Sequence, residues 1–150
     1  MGTGIRFAVL AVLAALSLTG FAGDIDRSAV DFTVPKDIKW VKTPGGTAER
    51  AILFGDPDKP GAYVMRLKWL PGGMSRPHFH PNDRFFTVIS GTWWVGTGEK
   101  FDPESTVPAP AGSYVVHYAN KIHYDGAKGA ECVIQVWGMG PATSTPAGKK

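Results

Sequence analysis

Between Tyr63 and Trp69 every second residue is apolar: Tyr63, Met65, Leu67 and Trp69 share one parity, with Arg66 and Lys68 on the other, and Pro71, Gly72 and Gly73 follow at once. A period of two belongs to an extended strand with one face buried, and a Pro-Gly-Gly run ends such a strand in a turn. The pattern recurs. Short β-prone stretches at 50–54, 75–80, 84–90, 92–95, 112–118, 122–124 and 131–138 are separated by turn residues, and 29–41 reads as two more, divided by Pro35. With 19 Gly and 12 Pro in 150 residues, no interval after residue 23 is long enough for a sustained helical period. Strands at hairpin spacing without helices between them build a sandwich or a barrel, and a chain of this length makes one domain of that kind.

The first 22 residues stand apart. Arg6 precedes an apolar run at 7–18 and then small residues ending in Ala22, which is the layout of a secretory signal peptide cleaved after Ala22. The run is short for a membrane span, so the membrane is expected to matter only for export; uncleaved, the segment would be an anchor. The expected compartment is therefore periplasmic or secreted. Removing 1–22 takes one of 16 basic residues and none of 13 acidic ones, leaving 15 against 13 and a net charge of +2. The remaining lysines and arginines are scattered singly, without the stripe that neutralises phosphates, so nucleic acid is not an expected partner. Cys132, the single cysteine, reads as a small buried apolar residue.

His78 and His80 lie two apart, so an extended chain presents both imidazoles on one face. Two neutral imidazoles on a strand, joined by a third from elsewhere, make a facial ligand set for a divalent transition metal with open positions. An H-x-H pair alone is equally compatible with two surface histidines. Gly72, His78, His80 and Gly91 fall on a larger pattern that resembles the first cupin motif: Gly, five residues, H-x-H, three residues, an acidic position, six residues, Gly. Gly112, Tyr118, Asn120 and His123 resemble the second motif, with Asn where the family has Gly and Tyr where it has Pro. Asn also accepts a left-handed turn.

The resemblance, carried by 61–141, implies an all-β double-stranded β-helix, the cupin jelly-roll barrel, over 29–141, with 142–150 as a disordered tail. It further implies that His78, His80 and His123 are ligands of a divalent metal ion, and that a second copy of the chain pairs with the first through sheet edges as a homodimer. The family's ligating glutamate position is held by Arg84. A guanidinium about 5 Å from a divalent ion repels it by roughly 7 kcal/mol at an effective dielectric of ~20. That is less than the roughly 10–16 kcal/mol of a good zinc site.

Arg84 then has two readings. It clamps the carboxylate or phosphate of a small anionic ligand, or it pairs with a protein carboxylate such as Asp83 or Glu131 and props the mouth of the barrel. Asp83, its strand neighbour, should face the other way. Parity continued from His78 and His80 brings Phe86 and Val88 inward, giving an apolar wall beside the polar cluster. Gln135 is a further candidate for the pocket, whereas His117 reads as a partly exposed strand-end histidine. With open metal positions the chemistry implied is that of an isomerase, a lyase or a dioxygenase. The rival is a non-catalytic ligand-binding or sensor cupin. No residue is singled out as catalytic.

Overall fold

The structure, a computed structural model, describes residues 23–147; the expected signal peptide at 1–22 lies outside the described residues. The chain divides between Phe32 and Thr33. In the first unit Asp26 accepts from Ser28 N at 2.8 Å, closing a turn, and Arg27 stacks on Phe32 at 4.3 Å. No strand forms at 29–34. A 3-10 turn at Pro35–Asp37 follows, since Pro35 sets φ for a helical turn and has no N–H to give a ladder. Of the two strands expected in 29–41, only β1 (Val41–Lys42) exists, and it is exposed.

The described residues of the second unit, from Thr33 onward, form eleven strands. After β1 come β2 (Ala48–Phe54), β3 (Gly61–Trp69), β4 (His78–Phe79), β5 (Arg84–Ser90), β6 (Thr92–Thr97), β7 (Val107–Pro110), β8 (Tyr114–His117), β9 (His123–Gly126), β10 (Cys132–Gly140) and β11 (Thr145–Pro146). They form a six-stranded sheet in the order β1-β2-β3-β10-β5-β8 and a five-stranded sheet in the order β11-β4-β9-β6-β7. All pairings are antiparallel. This is the expected all-β double-stranded β-helix.

The alternation in β3 behaves as read. Tyr63, Met65 and Trp69 are buried, while Lys68 on the opposite face bonds Glu49 at 2.9 Å and lies over Trp40 at 4.4 Å. In β10 Ile134 and Val136 point inward. Together with Phe86 and Val88 of β5 and Trp93 of β6 they fill the space between the sheets. Each such side chain, fully buried, contributes about 1.5–3 kcal/mol. Cys132 belongs to this core, where burial pushes its thiol up to about 12.

Two elements differ from the sequence reading. β7 carries Pro108 and Pro110, and is possible because it is the edge of its sheet, where a missing N–H leaves no ladder bond unmade. Residues 142–147, within the segment expected to be a disordered tail, are tied to the barrel. Ala142 N donates to Pro57 O at 2.7 Å and Ala147 N to Pro77 O at 2.9 Å, and between them β11 pairs with β4. The edge of β4 supplies the backbone partners that a polar tail alone lacks.

Candidate metal centre

The site lies where β4, β9 and the start of β5 meet. β4 pairs with β9 so that His78 stands opposite His123. The chain turns after His80, whose carbonyl accepts from Asn120 N at 2.7 Å; Asn120 takes the left-handed conformation expected of it, at φ 58°. The three imidazoles cluster: ring centroids are 4.6 Å apart for His78 and His123, 4.8 Å for His78 and His80, and 5.4 Å for His80 and His123.

Their hydrogen bonds fix which nitrogen is free. Nδ1 of His78 lies 2.8 Å from Arg76 O, that of His80 2.9 Å from Thr143 O, and that of His123 2.9 Å from Lys121 O. A carbonyl only accepts, so each Nδ1 donates, and each neutral ring keeps its lone pair on Nε2. Metal-ligating histidines are held in the same way, with the second nitrogen donating to a fixed acceptor. Burial, reinforced by Arg84, lowers His80 to about 3; burial, with His78 nearby, lowers His123 to about 4. Both rings are therefore neutral at physiological pH, the ligating form. Nε2 of His78 and of His80 are 3.1 Å apart, and Nε2 of His123 is buried without a partner among the described residues. Two lone-pair nitrogens that close need a donor or cation between them, and ligand atoms of the three rings lie within 4.8 Å of one another. The donor set fits a divalent transition metal.

Arg84, buried at the head of β5, donates through Nε to Tyr63 Oη at 3.2 Å and through a terminal nitrogen to His80 Nε2 at 2.6 Å, with its guanidinium 5.2 Å from the Phe86 centroid. No described ion pair includes it. Pairing with Glu131 is thus not how its charge is used, and Asp83 faces away as expected, accepting from Ala119 N at 2.7 Å. Beside Arg84 opens a cavity of about 570 Å³, walled by Met65, Leu67, Trp69 and Phe86. Phe86 thus stands where its parity put it. Gln135 does not. It sits between the inward Ile134 and Val136, so it points out of the barrel, where its Oε1 accepts from Arg66 Nε at 3.1 Å.

Two residues join the cluster that the sequence reading did not place there. His117, expected to be partly exposed, is only 6% exposed. β8 pairs with β5 so that His117 stands opposite Arg84, and directly opposed residues share a face. Its ring packs 3.8 Å from His123, 4.6 Å from Phe86 and 5.2 Å from Trp93. Burial, with His123 next to it, lowers it to about 2. Asp125, also buried, accepts from Trp93 Nε1 at 3.1 Å, and burial raises its carboxyl above the usual range. Its signal was its spacing, two residues past His123 on one strand.

A double-sheeted jelly roll with imidazoles converging near one cavity defines the protein as a cupin. Residues 29–141 match the model of the ChrR cupin-like domain, and the chain belongs to that family. Among solved structures it is similar to the polyketide cyclase RemF of Streptomyces resistomycificus, at 17% identity and a TM-score of 0.66, over 81% of this chain and 87% of that one. It is also similar to KdgF from Halomonas sp., at 18% identity and a TM-score of 0.56, over 73% and 93%. A third likeness is to an RmlC-like cupin of Shewanella frigidimarina, at 13% identity and a TM-score of 0.57, over 72% and 88%. At these identities the likeness is one of fold. No curated protein matches the chain.

Proposed function

We propose that the protein is an exported cupin that holds one divalent metal ion on His78, His80 and His123 and receives a small anionic organic ligand against Arg84. The observation that carries this reading is the shared arrangement of three imidazoles, each Nδ1 held by a backbone carbonyl, with ligand atoms of the three rings within 4.8 Å of one another. Bound there, an ion supplies Lewis acidity for the chemistry of an isomerase, a lyase or a dioxygenase. The chain's own residues bind and orient. Phe86, Met65 and Trp69 exclude water from the ligand's apolar part, and the second terminal nitrogen of Arg84, without a partner among the described residues, holds a carboxylate or phosphate.

Elemental analysis of protein purified from its native compartment tests the reading. The expected result is one transition metal per chain, held with sharply lower affinity in each of His78→Ala, His80→Ala and His123→Ala while the barrel stays folded. Full occupancy in all three variants overturns it. A second reading, a non-catalytic ligand-binding or sensor cupin, is favoured by the hydrogen bond from Arg84 to His80 Nε2, which occupies the lone pair a metal would use. Turnover of a bound ligand, as against its recovery unchanged, separates the two. Export is supported by the apolar run at 7–18, and an intact mass lacking residues 1–22 is its readout.

A further inference from the structure

Below the three-histidine cluster lies a second group of donors: His117, His123 and Asp125, all buried, with ligand atoms within 4.8 Å of one another. Both ring nitrogens of His117 lack a partner among the described residues, and so does Nε2 of His123. An unmade hydrogen bond at a buried polar atom costs about 1–3 kcal/mol, so three at one place need a reason. The Asp125 carboxylate accepts one hydrogen bond, from Trp93, and no described ion pair includes it. A buried carboxylate without a cation is costlier still. Phe86 and Trp93 wall the group against water.

We propose that His117, His123 and Asp125 form a second, inner site for a divalent cation, overlapping the outer one through His123. Because Nδ1 of His123 is held by Lys121 O, only Nε2 can ligate, and the two sites take an ion in alternation. They differ in charge. The outer set offers imidazoles alone, beside a guanidinium, whereas the inner set includes a carboxylate. Two imidazoles and one carboxylate suit Fe(II), Mn(II), Co(II) or Zn(II). While Arg84 donates to His80, the inner site competes with the outer one for the ion.

Calorimetric titration of the mature chain with Zn(II) tests this, using His80→Ala to disable the outer set and Asp125→Asn, which retains an acceptor for Trp93, to disable the inner one. His80→Ala is expected to hold one ion on the inner set, more weakly than the unaltered protein holds its ion, and adding Asp125→Asn to weaken it further by at least roughly 10- to 100-fold, the loss that follows removal of a mere outer-shell partner. His117→Phe, which suits the aromatic surroundings, should do the same, and keeps the test open if Asp125→Asn fails to fold. His80→Ala that takes up no zinc while the unaltered protein does would overturn the inner site and leave the outer one standing. Zinc bound by His80→Ala but indifferent to Asp125→Asn and His117→Phe would also overturn it. His80→Ala as tight as the unaltered protein, with Asp125→Asn empty, would instead support the inner site and remove the outer one.

Discussion

Replacing Arg84 by Gln removes a buried positive charge while keeping a donor for His80. The guanidinium nitrogen is 2.6 Å from His80 Nε2, so a divalent ion ligated by that ring would stand within about 5 Å of the charge. The repulsion is roughly 7 kcal/mol at an effective dielectric of ~20. If relaxation of the side chain leaves only about 2 kcal/mol, the variant still binds metal roughly 30-fold more tightly, at about 1.4 kcal/mol per factor of ten. The anionic ligand should move the other way. Losing charge-assisted hydrogen bonds worth about 1.5–3 kcal/mol weakens a carboxylate by roughly 10- to 100-fold. In the unaltered protein a carboxylate such as benzoate should draw Arg84 off His80, so zinc and benzoate strengthen each other's binding by the same factor; that coupling disappears in Arg84→Gln. Zinc titrations with and without benzoate, with melting temperature on the same samples, give all three quantities. Unchanged zinc affinity together with a large fall in melting temperature would show that Arg84 is only a prop, refuting the reasoning.

Three further outcomes follow from the same geometry. His80, His117 and His123 are held neutral when folded, at about 3, 2 and 4, against an ordinary value of 6.5. The unfolded chain therefore binds more protons below pH 6.5, and stability should be full above that value and fall as pH drops towards 4, by up to about 1.4 kcal/mol per unit for each ring; denaturant midpoints that are flat from pH 6.5 to 4.5 would contradict this. Ending the chain at Ala142 removes β11 and the Thr143 carbonyl that orients His80. Zinc affinity should fall roughly 10- to 100-fold with the far-UV circular dichroism of the barrel retained. Cys132, fully buried with its thiol raised to about 12, should react with a thiol reagent only as fast as the protein opens, a rate that denaturant will increase.

Much of the site was legible because strand parity is local. His78 and His80 share a face, and Phe86 and Val88 continue inward from Arg84, as a period of two requires. The same period of two puts Asp125 beside His123 along β9 and turns Gln135 outward between Ile134 and Val136 along β10. His117 is a different case. It faces inward because β8 pairs with β5 in the register that sets it opposite Arg84, and that pairing is a tertiary fact which no local pattern carries. β7 and β11 were hidden for a similar reason. Both are edge strands, where prolines at 108, 110 and 146 are tolerated because a neighbour is present on one side only.

Trp93 is fully buried, bonded to Asp125 and 5.2 Å from the His117 ring, and Trp69, the other buried indole, walls the cavity. Trp137 is stacked on Phe85 on the outer face of the six-stranded sheet, half exposed. The five tryptophans therefore divide by wavelength, with the buried pair emitting at the blue edge and the solvent-touching ones further to the red. A paramagnetic ion such as Co(II) or Cu(II) arriving among the histidines would quench the blue edge first, so the position of the emission maximum, and not only its height, reports which part of the molecule has been filled.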